Sequence, residues 1–235
     1  MKIALFSKLT RAALISAACF TCTVSYAKSS SDQVYLAPGW GKLNFEAPVP
    51  GSYELPRLLT AANGTVLNTA GEKQELHTLM SGKVTVLSFI YRTCDDVNGC
   101  PLSTMVLYTL AKRLDKLPEI KDSVRLLTVS FDPQFDTPAV MANYRESIVG
   151  KHEMDWLFLT SESEAHIAPI LADYNQMVIK DNNLSFADEE PRNTFSHILR
   201  VYLIDPKRNI RNIYNLSFLH PDILINDVQT LLLEK

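Results

Sequence analysis

Apolar positions along this chain fall into two alternating patterns: short unbroken runs, and longer stretches in which they recur every three or four residues. Val84–Ile90 (VTVLSFI) is the strongest run, short and rich in β-branched residues, as expected of a strand buried on both faces. Residues 124–131 (VRLLTVSF) repeat that character, and Trp156–Leu159 is a shorter example. Between the first two, Leu102, Met105, Val106, Leu110 and Leu114 lie at helical spacing behind Pro101, up to about Leu117-Pro118. Thr137-Pro138 opens a second helix through about Ile148. Ser161 and Glu164 form a capping box for a third, ending near Tyr174, with Pro169 expected to kink or interrupt it. Residues 181–192 are polar and read as an exposed loop. Residues 198–204 then predict a strand, 205–209 (DPKRN) a turn and 210–216 its hairpin partner. Pro221 opens a last helix with Ile223, Leu224, Val228, Leu231 and Leu232 on one face. Upstream of it all, turns at Ala62-Asn63-Gly64 and Ala70-Gly71 bracket Val66-Leu67, which predicts a small hairpin. Strands alternating with helices and closed by a hairpin and a helix define an α/β sandwich with a mixed sheet.

The N-terminus changes the picture. Lys2, Lys8 and Arg11 precede a small apolar stretch from Ala12 to Val24, and Ser25-Tyr26-Ala27 offers small residues at a cleavage site. Residues 1–27 therefore read as a signal peptide, its apolar part short of the roughly 20 residues a bilayer span needs. A periplasmic or otherwise exported protein is expected, with no membrane insertion after cleavage; a retained anchor is the lesser alternative. Residues 28–53, with Pro38, Gly39, Pro48, Pro50 and Gly51, read as an N-terminal arm or tether, partly docked through Trp40 and Phe45. Residues 54–235 are the expected folded domain.

Cleavage alters two further quantities. Three of the 23 basic residues leave while all 26 acidic ones stay, which moves the formal net charge from −3 to −6. A mildly acidic domain of that kind is a poor partner for nucleic acid. Cys19 and Cys22 leave as well, so Cys94 and Cys100 are the two cysteines of the mature chain. An exported protein with one close pair is expected to form a disulfide, bind a metal or perform redox chemistry.

Cys94 and Cys100 stand between the Val84–Ile90 run and the helix behind Pro101. Six residues of continuous helix would turn one about 240° from the other, at roughly 100° per residue. The sulfurs meet only if the five residues between them loop back, and Asn98-Gly99 is the turn signal, one that allows positive φ. Cys100 is placed at the helix N-cap, where the dipole favours a thiolate; Asp95 and Asp96 oppose ionisation, and Arg92 offsets part of their charge. A structural disulfide closing a small loop is the plain alternative to metal or redox work. His197, ahead of an apolar run, is by itself more consistent with a structural residue. His77, His152, His166 and His220 have no partners at ligand spacing, and the methionines are scattered. Asp132 and Asp136 read as cap and turn residues, with either Asp136 or Thr137 capping the helix opened by Pro138.

Taken together, the cysteine pair after the central strand, the string Phe131-Asp132-Pro133-Gln134-Phe135-Asp136-Thr137-Pro138, and His197 ahead of Val201-Tyr202-Leu203-Ile204-Asp205-Pro206 resemble the Sco/SenC family. The resemblance implies a thioredoxin-like fold with a mixed central sheet, helices on both faces and an N-terminal extension. It also implies Cys94, Cys100 and His197 as ligands of copper, Cu(I) or Cu(II). The implied role is delivery of copper to an oxidase subunit or other copper protein, or reduction of that protein's cysteines with the help of a thiol reductant. A metal-free thiol–disulfide oxidoreductase and a redox-inert adaptor are the alternatives. Five residues separate the cysteines here against the family's usual three, and Ser196 stands where the family has an aspartate before the histidine.

Overall fold

The structure, a computed structural model, describes residues 34–150, 154–181 and 193–234. The expected signal peptide, the first residues of the arm and most of the polar loop lie outside the described residues. The chain from Tyr35 onward forms one compact unit.

Its elements in chain order are β1 (Leu59–Thr60), β2 (Thr65–Leu67), β3 (Lys73–Glu75), α1 (Leu76–Met80), β4 (Val84–Ile90), α2 (Cys100–Leu114), α3 (Pro118–Lys121) and β5 (Val124–Ser130). There follow α4 (Pro138–Val149), β6 (Trp156–Leu159), α5 (Glu164–Asp173), β7 (Val178–Lys180), β8 (Phe195–His197), β9 (Val201–Ile204), β10 (Asn209–Tyr214) and α6 (Pro221–Leu233). The main sheet runs β1-β10-β9-β4-β5-β6. β4, β5 and β6 are parallel, while β9 pairs antiparallel with both β4 and β10.

β4 is central, and all seven of its residues are buried. Side chains alternate across a strand, so β4 and β5 supply both layers of core. Val84, Val86, Val124 and Leu126 face a cluster with Leu102, Val106 and Leu110 of α2, Met141 of α4, and Leu224 and Val228 of α6. Leu87, Phe89, Leu127 and Val129 face the other layer, with Leu76 and Met80 of α1 and Ile167 and Ile170 of α5. This is the expected thioredoxin-like sandwich, a mixed sheet with helices on both faces.

Three local expectations are corrected. Ser163 rather than Ser161 caps α5, accepting the N–H of His166, and Pro169 lies inside the helix. The strand expected over 198–204 is split: β9 begins only at Val201, and His197 ends β8. β8 pairs with β7 in a two-stranded ribbon apart from the main sheet, with His197 opposite Val178. Phe45 is half exposed rather than docked.

The arm does dock elsewhere. The Gly51 N–H donates to Thr230 Oγ1, Tyr53 donates to Asp227, and Asn226 donates to the Pro48 carbonyl. Pro38–Trp40 forms a 3-10 turn, and a Cβ on Gly39 would stand 2.2 Å from the Leu219 carbonyl oxygen. Only glycine allows that approach. The same segment reaches the loop between the cysteines, because the Trp40 indole N–H donates to the Val97 carbonyl.

Candidate metal centre

The centre is built where β4 leaves the sheet. The Cys94 N–H bonds back to the Tyr91 carbonyl, and Asp96–Gly99 then closes a tight turn through Gly99 N–H to Asp96 O at 2.8 Å. The Asp96 side chain accepts the Asn98 N–H inside that turn. The chain reverses at Asn98-Gly99 as the sequence suggests, but for a different reason. Neither residue has a positive φ. A Cβ on Gly99 would lie 3.2 Å from both Cys94 Sγ and the Asp96 carbonyl, so a side chain there would press on the sulfur and the turn. Gly99 is the N-cap of α2, and Cys100 is its first residue.

Sγ of Cys94, Sγ of Cys100 and a ring nitrogen of His197 all lie within 4.8 Å of one another, the arrangement a metal ion needs. His197 Nε2 stands 3.7 Å from Cys100 Sγ. Both cysteines are free thiols, Cys94 half-buried and Cys100 buried. The three residues arrive from the β4–α2 loop, the start of α2 and the end of β8, and the fold brings all of them together.

The two thiols are unequal. Cys94 is pushed down to about 4, chiefly by a hydrogen bond from the Cys100 thiol, with further help from His197 and the backbone N–H groups of Cys100 and Asp96. Cys100 is pushed well up, first by holding its proton toward Cys94 and then by burial. One proton thus sits between two sulfurs and belongs to Cys100. The helix N-terminus does favour a thiolate, but on Cys94, toward which the Cys100 N–H points. Arg92 does not serve the thiols as expected; its side chain lies 3.7 Å from Asp136.

Around the imidazole the sequence shows less than the structure. His197 meets Phe131 and Tyr91 edge to face, with ring centroids 5.2 and 5.8 Å away, and Phe195 packs against both. The Tyr91 hydroxyl neighbours Cys94, and its pKa is pushed up by burial first and by that thiolate second. These aromatics come from three separate elements, so no local pattern announces them. His197 Nδ1 is buried without a hydrogen-bond partner among the described residues. Ser196 donates to Asp181 and does not orient the ring. The centre opens into a cleft of about 580 Å³, with Asp96, Asn98, Ile198, Leu199 and Leu216 among its walls.

The remaining described histidines stand apart from the centre. His220 caps α6, His77 contacts the Ala61 carbonyl, and His166 lies on the surface beside Ser163. Asp136 is not the helix cap, since Thr137 takes that place.

A thioredoxin-like sandwich with two thiols and an imidazole at the end of its central strand defines a class of protein. The SCO1/SenC family model matches residues 60–233, and the chain belongs to that family. No curated protein matches the chain in sequence. Among solved structures it is similar to Bradyrhizobium japonicum ScoI with copper bound, at 25% identity and a TM-score of 0.58, covering 73% of this chain and 98% of that one. It is also similar in fold to Arabidopsis thaliana ScoI with copper bound, at 19% identity and a TM-score of 0.61, covering 75% and 99% of the two chains. A third is BsSco, a member of the Sco family of cytochrome c oxidase assembly proteins in which a disulfide switch was identified. There the identity is 24%, the TM-score 0.57, and the coverage 78% and 100%.

Proposed function

We propose that this protein is an exported copper carrier that holds the ion between Cys94, Cys100 and His197 and passes it to a copper enzyme such as cytochrome oxidase. The observation that carries the reading is the convergence of two free thiols and one imidazole within 4.8 Å. Two thiolates and a neutral imidazole are a soft set that suits copper over hard cations. They balance Cu(II) and leave Cu(I) with one negative charge, so both oxidation states are accessible. The cysteines must shed their protons on binding, and Cys94 is already ionised at neutral pH. The cleft gives a partner's donor groups access to the half-buried Cys94 side. Export rests on the basic and apolar pattern of residues 1–27; no helix among the described residues is long and apolar enough to cross a membrane.

The inequality of the thiols favours a second reading, reduction of a partner's disulfide. The Cys94 thiolate would attack one partner sulfur, forming a mixed disulfide and releasing the other as thiolate. Cys100 would give its proton to that thiolate and attack Cys94, releasing the second partner sulfur as a thiolate that takes its proton from water and leaving Cys94–Cys100 oxidised. Two electrons pass to the partner, and a thiol reductant must restore the pair.

Anaerobic copper titration of the reduced protein, with metal analysis after desalting, tests the proposal. The expected result is a single tightly held copper per chain, lost in Cys94→Ser and Cys100→Ser and weakened in His197→Ala. Absence of copper uptake by the wild type would leave disulfide exchange as the account.

A further inference from the structure

The turn after β5 carries two carboxylates, Asp132 and Asp136, each only 1% exposed. Asp132 Oδ2 and Asp136 Oδ1 are buried and accept no hydrogen bond among the described residues. A buried carboxylate with an unmet acceptor is costly, so its presence calls for a reason. Neither serves as a ligand or caps α4.

What they hold is specific. Asp136 Oδ2 accepts the backbone N–H of Arg92 at 2.9 Å and the Ser130 hydroxyl at 2.6 Å. Arg92 stands two residues before Cys94, so this carboxylate fixes the path by which the chain leaves β4 for the thiols. Asp132 Oδ1 accepts Nδ2 of Asn193 at 2.7 Å, and the same amide reaches Gln134 Oε1 at 3.2 Å. Asn193 leads directly into β8, which ends at His197. From the facing strand, Lys180 Nζ also donates to Gln134. The ribbon is not part of the main sheet, so no ladder register against β4 or β9 fixes the imbidazole-bearing strand. Phe131, the residue before Asp132, presses its ring on His197.

We infer that Asp132 and Asp136 are positioning residues for the Cys-Cys-His centre, Asp136 holding the thiol-bearing loop and Asp132 the histidine-bearing ribbon. A single short turn thereby sets the separation between imidazole and sulfurs, the quantity on which a shared ligand depends. The inference rests on the reading that these three side chains act together. It assigns the two aspartates separate clients, which a merely structural role would not do.

The test uses the full chain in reduced form. Asn193→Ala, a mild change at a partly exposed position, releases the ribbon; Asp132→Ala releases it more completely, and Asp132→Asn keeps an acceptor and should restore it. Asp136→Ala perturbs the other limb. Three quantities are read: the His197 ring signals in NMR spectra of the metal-free protein, the rate of Cys94 alkylation by iodoacetamide at fixed pH, and Cu(II) affinity. Asn193→Ala and Asp132→Ala should shift and broaden the ring signals and weaken Cu(II) binding by roughly tenfold or more, as loss of an outer support typically does, while changing Cys94 alkylation far less than Asp136→Ala does. Asp136→Ala should slow Cys94 alkylation and leave the ring signals in place. Equal disturbance of both limbs by either variant, or of neither, overturns the inference. The first two readouts need no metal, so a wild type that takes up no copper would defeat the copper proposal without deciding this one.

Discussion

Asn98 Oδ1 accepts the backbone N–H of Ala37 at 2.7 Å, which joins the N-terminal arm to the loop between the two cysteines. The same amide donates to the Tyr35 carbonyl at 2.8 Å, so one side chain clasps the arm on both sides of Leu36. Val97 and Asn98, which the arm grips, both lie in the five-residue spacer between the cysteines. Asn98→Ala should remove both bonds and lower stability by about 1 to 2 kcal/mol, at roughly 1 kcal/mol for each net hydrogen bond. Native-state hydrogen exchange checks it: the Ala37 amide should lose protection while amides of β4 keep theirs.

Crowding at Gly99 makes a sharper claim. Alanine there would place a methyl group 3.2 Å from Cys94 Sγ and equally close to the Asp96 carbonyl. Gly99→Ala should displace the Cys94 sulfur and slow formation of the Cys94–Cys100 disulfide, measured by oxidation under a fixed glutathione buffer. An unchanged rate would mean that the loop has room the geometry denies it.

The thiols predict a pH profile. With Cys94 pushed down to about 4, its thiolate persists as pH falls through the neutral range and is lost only on passing about 4. An ordinary thiol would fade below about 8.5. Alkylation at Cys94, followed by mass spectrometry of the reduced protein, should stay nearly level down to mildly acid pH. Cys100 should resist modification throughout, because it is buried and keeps its proton.

Far from the centre, Asp155 predicts part of the acid response of the fold. Burial alone would raise its carboxyl, but hydrogen bonds from Arg125 and Lys83 outweigh burial and hold it below the usual range. A carboxyl depressed in the folded state contributes stability above its unfolded value of 3.8, and that contribution is lost as pH falls through the lower folded value. Thermal melts of Asp155→Asn should therefore show a lower melting temperature than wild type at neutral pH, with the gap closing under acid conditions.

The residues differ in how plainly they announced these roles. β4 and β5 were readable because seven-residue apolar runs have few alternatives, and α2 because Pro101 and the helical spacing agree. The cysteine loop followed from the spacing and the Asn98-Gly99 turn signal, although neither residue takes the positive φ that signal allows. His197 was invisible to local pattern: β8 is three residues long, and its partner β7 lies across residues 181–194, so only the family resemblance picked it out. Asp132 and Asp136 look like ordinary turn residues, because their partners Asn193 and Arg92 are 61 and 44 positions away. Contacts of that range are set by packing and leave no trace in periodicity.

Copper held by Cys94, Cys100 and His197 would have two sulfur neighbours and one nitrogen neighbour. X-ray absorption at the copper edge, recorded on copper-loaded wild type and on His197→Ala, measures that ligand set. Two sulfur neighbours and one nitrogen neighbour are expected in the wild type, with the nitrogen contribution lost or replaced in the variant. A copper shell identical in the two proteins, or one without two sulfurs, would contradict it.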